Sequence, residues 1–373
     1  MKRFLVSMLV SLSAVSLPAQ RIPMCNADSR LSSVLNTEAK ECDWKPEGYR
    51  FGDGSTLPDL RLHYVTLGEP HRSAQGEVDN AILLLHWTGA SGAAMLTDEF
   101  IQNLYAAGKP LDASRYYLII VDNVGHGKSS KPSDGLRAHF PRYTYTDLVD
   151  LQHRLVTEAL QINRLQAIVG LSMGGMNAWQ WVEKYPDSVS AIMPIVALPT
   201  RVAGRNLLWR RMVIDWIKSD PAWRDGNYEA NPPSLTHAQQ LVMLMIEGVP
   251  HLQALLPDQS STDKYINSVA QQASKLDAND LLYSVDSSRD YDPEAGLRQV
   301  KTPVFALNFS DDEFNPDSLP LLEKLIAEVP HSRYVVQPGT PSSNGHLSMA
   351  HPHLWASHVA DFMRFADQET NQR

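Results

Sequence analysis

The sequence has little that could bind nucleic acid or an anionic surface. Its 373 residues contain 33 Lys and Arg against 42 Asp and Glu, which gives a net charge of −9. No block of Lys or Arg interrupts this balance, and without one a protein lacks the electrostatic footprint for nucleic acid or an anionic membrane. A hydrophobic content of 43% also excludes a disordered chain. These absences favour a small-molecule partner.

A long apolar run is also missing. The apolar stretch Phe4–Val15 is far shorter than the ~20 residues that a membrane-spanning helix needs. It follows Lys2 and Arg3 and precedes the small-residue end Leu17-Pro18-Ala19, a pattern typical of a secretory signal peptide over residues 1–19. We therefore expect a periplasmic or secreted protein with no membrane span in its mature chain.

Cysteine is scarce, since the chain has only Cys25 and Cys42. Both lie in residues 20–46, which we interpret as an N-terminal arm after the signal peptide. In an oxidising compartment the two thiols could form a disulfide that ties down this arm, whereas in a reducing one both would stay free. The sequence leaves this choice open because it does not give the distance between the two Cα atoms.

After the arm, short apolar segments alternate with longer amphipathic ones. The short segments are rich in Val, Ile and Leu on both faces, which is typical of strands buried in a parallel sheet with crossover helices. The rhythm stops over 198–297, where amphipathic stretches rich in Trp, Met and Gln predict an inserted helical cap. The sequence therefore predicts an α/β fold whose core, 47–197 and 298–373, is interrupted by this cap. The predicted strands are 81–86, 116–122, 166–171, 191–197, 303–308 and 333–337.

One strand leads into a motif that fits nucleophilic catalysis. The motif Gly170-Leu171-Ser172-Met173-Gly174-Gly175 stands between strand 166–171 and a predicted helix over 174–184. Glycine on both sides of Ser172 permits the sharp turn that exposes a serine hydroxyl above a sheet, as in the nucleophile elbow. Ser172 is therefore the candidate nucleophile.

A serine nucleophile needs a general base, and the base needs a carboxylate that orients it. In this architecture the carboxylate follows the serine and precedes the histidine. Asp311 and Asp312 follow strand 303–308, at the carboxyl end of a predicted strand. Asp312 is our candidate because it stands four residues before Pro316, and Asp311 is the alternative.

Three histidines between the next strand and the first turn of the final helix are candidates for the base. His346 lies in the loop after that strand, where the base of such a triad belongs, and it is our candidate general base. His351 and His353 stand at the predicted start of the final helix, so we expect them on the surface.

An acyl-transfer site also needs two backbone N–H groups that stabilise the oxyanion. One belongs to the residue after the nucleophile, which is Met173, and the other to the loop after an earlier strand. Strand 81–86 runs into the glycine-containing turn His86-Trp87-Thr88-Gly89. Thr88 is the candidate second donor, with Trp87 as the alternative donor and a candidate substrate contact.

The motifs of metal and nucleotide sites are absent. The 13 histidines form no HExxH pattern and no paired Cys/His spacing, so we predict no metal site. Gly127-Lys128-Ser129 resembles the end of a phosphate-binding loop, but Asp122 occupies a position at which that motif requires glycine. We therefore expect no cofactor.

Further segments carry a family likeness. They are Gly125-His126-Gly127, Phe140-Pro141, Tyr145–Val149, Gln152, Gly170–Met176, Asp220–Trp223, Gly226–Tyr228 and Pro232-Pro233. In order and spacing they resemble the homoserine O-acetyltransferase-like branch of the α/β-hydrolase superfamily, over roughly 47–365. This resemblance implies the α/β-hydrolase fold and an acyl-enzyme on Ser172, with Asp312 and His346 completing the triad.

The sequence departs from that branch at positions that select the substrate. In homoserine acetyltransferases the catalytic histidine is followed by an aspartate that contacts the substrate amino group, and here that position is Leu347. The family's arginine for the substrate carboxylate matches Arg211, our candidate substrate-binding residue, although Arg210-Arg211 also fits surface charge. Acetyl-CoA is not expected outside the cytoplasm, so a secreted copy would lack its acyl donor.

These departures favour water as the acyl acceptor. We therefore expect a secreted or periplasmic serine hydrolase that cleaves small-molecule carboxylic esters. An O-acyltransferase of the homoserine O-acetyltransferase type is the alternative. A non-catalytic ligand-binding protein on the same fold is the second alternative, and nothing in the sequence predicts the oligomeric state.

Overall fold

A nine-stranded sheet lies at the centre of residues 22–371, the part of the chain that the computed structural model describes. The predicted signal peptide, 1–19, lies outside the described residues. The strand order across the sheet is β1-β2-β3-β5-β4-β6-β7-β8-β9. The strands are β1 Met24–Ala27, β2 Ala39–Trp44, β3 Leu62–Leu67, β4 Ala81–Leu85, β5 Tyr117–Val121, β6 Ala167–Leu171, β7 Ile192–Ile195, β8 Val304–Phe309 and β9 Ser332–Gln337.

The six strands from β5 to β9 in this order pair in parallel, and β1, β2 and β3 extend the sheet in antiparallel fashion. All six parallel strands correspond to predicted strands, and the predicted α/β-hydrolase fold class is confirmed. The sequence analysis missed the three antiparallel strands, two of which lie in the predicted arm. All four residues of β1 are exposed and β2 is buried only at intervals, so neither forms a continuous apolar run.

Helices cover both faces of the sheet because the parallel strands are apolar on both sides. On β4, Ile82 and Leu84 pack into one hydrophobic cluster, while Leu83 and Leu85 pack into the other. Burial on both faces is the usual condition of a parallel sheet with crossover helices. The helices are α1 Ser29–Leu35, α2 Asp98–Phe100, α3 Tyr145–Arg154, α4 Met173–Lys184, α5 Gly204–Ser219, α6 Ser234–Ile246, α7 Val249–Leu255, α8 Gln259–Ala273, α9 Ala278–Asp286, α10 Leu321–Ile326 and α11 Ala356–Asn371.

Five of these helices, α5 to α9, are inserted between β7 and β8, inside the range predicted for the cap. Helix α5 buries Trp209, Val213 and Ile217, which share one face because they are spaced four residues apart. It packs against α6 and α9. Within residues 22–371, no helix has both the length and the apolar character that a membrane crossing requires.

A disulfide joins Cys25 to Cys42. The two cysteines are directly opposite each other in the antiparallel pair of β1 and β2, with their Cα atoms 4.1 Å apart. This bonded arrangement is the alternative that the sequence analysis expects in an oxidising compartment. Within residues 22–371, β1 pairs only with β2 and exposes all four of its side chains, so this bond adds a covalent constraint to a single strand pairing.

Replacing both cysteines by serine should therefore loosen β1 without unfolding the sheet. A disulfide typically contributes about 2–4 kcal/mol by restricting the open state, so amide exchange in β1 should accelerate at least tenfold. Hydrogen exchange with mass spectrometry on the peptide that carries β1 measures this. The peptide that carries β9, the opposite edge strand, is the control. Unchanged protection of β1 in the variant would contradict the expectation.

Candidate functional site

Ser172 stands in a sharp turn between β6 and α4. Its backbone lies at φ 51° and ψ −110°, a strained conformation for a residue with a side chain. A Cβ atom at Gly170 would lie 2.2 Å from the carbonyl oxygen of Gly174, and a Cβ at Gly174 would lie 2.2 Å from that of Leu85. Only glycine fits at both positions, so the two glycines allow the turn that presents the Ser172 hydroxyl.

A chain of hydrogen bonds connects three of the predicted residues. His346 Nε2 lies 2.8 Å from Ser172 Oγ, and His346 Nδ1 lies 2.8 Å from Asp312 Oδ2. All three side chains are at least 94% buried. Because the Asp312 carboxylate can only accept, Nδ1 carries the proton and Nε2 is free to accept from the serine hydroxyl. The structure thus brings together the predicted nucleophile, base and orienting acid.

The side chain of Asp312 is held in place by several donors. Its Oδ1 accepts from the backbone N–H groups of Phe314, at 2.8 Å, and Asn315, at 3.2 Å. The Asn315 side-chain amide donates to Oδ2 at 3.1 Å and to the carbonyl oxygen of Val196 at 2.9 Å. Donors of this kind stabilise a buried negative charge and fix the side chain. Asn315 is a positioning residue that the sequence analysis did not identify.

Asp311, the alternative acid, has different hydrogen-bond partners. Its Oδ2 accepts from the Ser343 hydroxyl at 2.8 Å and from the backbone N–H of Gly345 at 3.1 Å. It therefore fixes the loop that leads into His346 but does not contact the imidazole. The geometry favours Asp312 over Asp311 as the partner of His346.

The turn after β4 is held in place by two buried groups. The Nδ1–H of His86 donates to the carbonyl oxygen of Trp87 at 2.9 Å, and its Nε2 accepts from the backbone N–H of Asn123 at 3.1 Å. Burial lowers the pKa of His86 to about 4, so its imidazole is neutral at ordinary pH. Asp122, at the end of β5, accepts from the backbone N–H of Gly92 at 2.6 Å.

Asp122 also explains the sequence that resembles a phosphate-binding loop. Its Oδ2 accepts from the backbone N–H of Lys128 at 2.8 Å, and its backbone carbonyl accepts from the Ser129 hydroxyl at 2.6 Å. A Cβ atom at Gly127 would lie 2.1 Å from the Asp122 carboxylate. The glycine therefore allows the chain to wrap around this carboxylate.

A cavity of about 730 Å³ opens above Ser172, between the sheet core and the cap. Met173, the first predicted oxyanion donor, begins α4 directly after Ser172. Thr88, the second, lines the cavity together with Trp87, the predicted substrate contact. The elements that contribute to the wall are the turn after β4, α5, α6, α9 and the segment that carries His346. Representative lining residues are Trp87, Thr88, Ser172, Trp209, Met243, Leu281, His346 and Leu347.

The structure corrects the prediction for Arg211. Arg211 is exposed on α5 and does not line this cavity, whereas Arg210 lines it and is only 3% exposed. Successive side chains of a helix point about 100° apart, so the adjacent residues Arg210 and Arg211 face different directions. Arg210 precedes the buried Val213 and Ile217 by three and seven residues, and this helical spacing is the signal that the sequence analysis overlooked.

Arg210 brings a positive charge into the cavity. It donates to Asn206 Oδ1 at 3.0 Å and to the carbonyl oxygen of Val285 at 3.4 Å, and within residues 22–371 it forms no ion pair. Burial lowers the pKa of Arg210, yet a guanidinium stays charged throughout the ordinary pH range. The arrangement can bind an anionic group of a ligand in the cavity that Ser172 also lines.

A second buried histidine, His126, links the core to the cap. Its Nδ1 lies 3.1 Å from the carbonyl oxygen of Val124, and its Nε2 lies 2.8 Å from the Ser284 hydroxyl on α9. Burial lowers the pKa of His126 to about 3. The sequence analysis noted this histidine only as part of a family motif, since its partner is 158 residues away.

Both buried histidines should make the protein less stable in mild acid. Between pH 6.5 and about 4 the unfolded chain protonates His86 while the folded chain does not, so the stabilisation present above pH 6.5 is lost as pH falls. At pH 5 the loss should be on the order of 2 kcal/mol for each histidine. Urea unfolding at pH 7.5 and pH 5 measures it, and His86→Gln, which cannot protonate, should reduce the difference. An equal difference in this variant would refute the assignment.

Comparisons with known proteins agree with this geometry. A family model described as the alpha/beta hydrolase fold matches residues 80–346. A probable acyltransferase of Methanothermobacter thermautotrophicus is 24% identical over 286 residues, which are 75% of this chain and 86% of that protein.

Two solved structures show the same fold with different named activities. A homoserine O-acetyltransferase from Bacillus anthracis superposes with a TM-score of 0.76 at 23% identity, covering 87% of this chain and 97% of that one. An acetylester hydrolase from Corynebacterium glutamicum superposes with a TM-score of 0.73 at 21% identity, covering 84% of this chain and 93% of that one. The chain thus belongs to the α/β-hydrolase superfamily.

Proposed function

We propose that this protein hydrolyses carboxylic esters of small molecules through an acyl-enzyme on Ser172. The observation that carries the proposal is the hydrogen-bond chain from Ser172 Oγ through His346 to Asp312, with 2.8 Å at each step. These hydrogen-bonded side chains lie at the floor of a cavity that is large enough for a small ester. A hydroxyl joined to an oriented imidazole is the arrangement that activates serine as a nucleophile.

In the first half of the reaction, His346 Nε2 takes the proton of Ser172 Oγ as this oxygen attacks the ester carbonyl carbon. Asp312 stabilises the imidazolium that forms. The backbone N–H groups of Met173 and Thr88 stabilise the oxyanion of the tetrahedral intermediate. The imidazolium then gives its proton to the leaving alkoxide, which departs as an alcohol and leaves the acyl group on Ser172.

In the second half, His346 takes a proton from water as the water oxygen attacks the acyl carbon. The tetrahedral intermediate collapses, the proton returns to Ser172 Oγ, and the carboxylic acid leaves. Water is our preferred acceptor because Leu347, next to the base, lines the cavity with an apolar side chain. Leucine cannot pair with the ammonium group of an amino-acid acceptor.

The proposal includes a location outside the cytoplasm. Residues 1–19 have the pattern of a secretory signal peptide. The disulfide between Cys25 and Cys42 supports the same location, because structural disulfides persist mainly in oxidising compartments. A periplasmic or secreted enzyme would meet esters and water but not a cytoplasmic acyl donor.

The second candidate is an O-acyltransferase, in which an alcohol replaces water as acceptor. Arg210 favours it, because an unpaired guanidinium in the cavity would bind the carboxylate of an acceptor such as homoserine. The similarity to a probable acyltransferase favours it as well. Both candidates share the acyl-enzyme on Ser172 and differ only in what resolves it.

Release of p-nitrophenol from p-nitrophenyl acetate by the purified mature protein tests both candidates. We expect steady release without any added acceptor and free acetate as the product, with a rate that homoserine does not change. Ser172→Ala should lower kcat by at least about 10⁴-fold because the nucleophile is lost. Release that depends on homoserine, with O-acetylhomoserine as product, would establish the transferase. An unchanged rate in Ser172→Ala would overturn the acyl-enzyme.

The two aspartates provide a matched pair of variants. Asp312→Asn should lower kcat about 10³- to 10⁴-fold with little change in KM, because an amide cannot hold His346 in the required tautomer or stabilise its charge. Asp311→Asn should cost about tenfold or less, since an amide oxygen can still accept from Gly345. Steady-state kinetics on both variants, with circular dichroism as a check on folding, compare them. Equal losses would show that Asp312 has no special role.

A further inference from the structure

Two histidines and a glutamate that have no part in the proposed reaction meet on the surface. His353 Nδ1 lies 2.5 Å from Glu99 Oε1, and His351 Nδ1 lies 3.3 Å from Glu99 Oε2. The ligand atoms of all three residues lie within 4.8 Å of one another. The side chains of Glu99, His351 and His353 are 34%, 38% and 51% exposed, so solvent reaches the cluster.

The backbone on both sides of the cluster is ordered by hydrogen bonds of its own. Glu99 lies in α2, whose first turn is capped by the Thr97 side chain. His351 and His353 flank the buried Pro352 in a tight turn, in which the backbone N–H of Leu354 donates to the carbonyl oxygen of His351 at 3.0 Å. The proline restricts the turn, so both imidazoles are presented to the same carboxylate.

We propose that Glu99, His351 and His353 form a binding site for one divalent transition-metal ion, with Zn²⁺ as the best match. Imidazole nitrogen and carboxylate oxygen are ligands that Zn²⁺ prefers, and three protein ligands leave one position for water. A tetrahedral zinc ion about 2.0–2.2 Å from each ligand atom places these atoms about 3.3 Å apart. The observed spacing, from 2.5 Å to below 4.8 Å, requires only small rotations of exposed side chains.

Because of where the cluster lies, a bound ion would connect two segments of the structure. Glu99 follows the turn that carries Thr88, and His351 follows His346 by five residues. None of the three ligands is among the residues that line the cavity above Ser172. The bound ion would therefore connect the segment of the proposed base to the segment of the proposed oxyanion donor, from outside the cavity. It would hold the two segments together without contacting the reacting atoms.

The competing explanation is a set of imidazole–carboxylate hydrogen bonds that needs no metal. The two explanations differ in what binds to the protein. A metal site binds one ion per chain and loses it when any ligand is removed, whereas hydrogen bonds alone create no saturable binding. A matched control exists at His71, which is also exposed and whose Nδ1 lies 2.7 Å from Asp79 Oδ1, without a second histidine.

The test is calorimetric titration of ZnCl₂ into the EDTA-dialysed mature protein, prepared without a histidine tag. We expect one Zn²⁺ per chain with a Kd below about 10 µM. At 100 times this Kd the melting temperature should rise by a few degrees, since ligand bound only to the folded state stabilises it. His353→Ala and Glu99→Gln should each weaken binding at least tenfold, while His71→Ala should leave it unchanged.

Three results would overturn the site. The first is the absence of saturable Zn²⁺ binding, which would leave the hydrogen bonds alone as the explanation. The second is binding that persists in a His351→Ala/His353→Ala double variant with native circular dichroism. The third is an equal loss of binding in His71→Ala. Ester hydrolysis by the metal-free protein is measured separately, so a failure of the metal site and a failure of the acyl-enzyme proposal are distinguishable.

Discussion

The close approach of α4 to the ends of β4 and β6 is the constraint on which the rest of the site depends. The first turn of α4 lies so near the Leu85 carbonyl that position 174 has no room for a Cβ atom. This contact forces Ser172 into its left-handed conformation, and the backbone N–H of Ser172 donates to Ile195 of β7 at 2.9 Å. Packing of the helix onto the sheet thereby aims the hydroxyl at His346, and strain at this one residue is balanced by many contacts around it.

Three buried polar side chains near this turn, Asp312, Asp122 and His86, accept from or donate to backbone atoms. Asp312 accepts from two backbone N–H groups, and so does Asp122. His86 contacts only backbone groups through its two ring nitrogens. Because backbone donors are fixed by the fold, these side chains hold loops at the strand ends in one arrangement. The loops therefore keep one fixed arrangement, as the core does, although they line a cavity.

The geometry of the site is well defined, but it does not by itself decide which acceptor receives the acyl group. In the proposed reaction Ser172 would form the same acyl-enzyme in either case, and the acceptor decides whether the reaction is hydrolysis or acyl transfer. Leu347 removes a contact that an amino-acid acceptor needs, whereas Arg210 supplies a contact that a carboxylate would use. Leu347 therefore favours water as the acceptor, whereas Arg210 favours an acceptor that carries a carboxylate. Substrates that are anionic but lack an ammonium group are compatible with both.

The sequence by itself determined the elements whose signal is local. Six apolar runs gave the parallel strands, because strands buried on both faces need continuous apolar residues. The glycines around Ser172 indicated the sharp turn, because only glycine tolerates such contacts. Chain order and loop position also selected Asp312 and His346, which the structure joins to the serine.

Only the tertiary structure decided the features that depend on distant partners. It assigned Asp311 to the Gly345 loop, and it turned Arg210 rather than Arg211 into the cavity, because the packing of α5 fixes the helix rotation. It placed His351 and His353 against Glu99, some 250 residues earlier in the chain. It also added three antiparallel strands, two of which, β1 and β2, are too polar to show an apolar run. Contacts between residues far apart in sequence leave no local pattern, so folding alone brings them together.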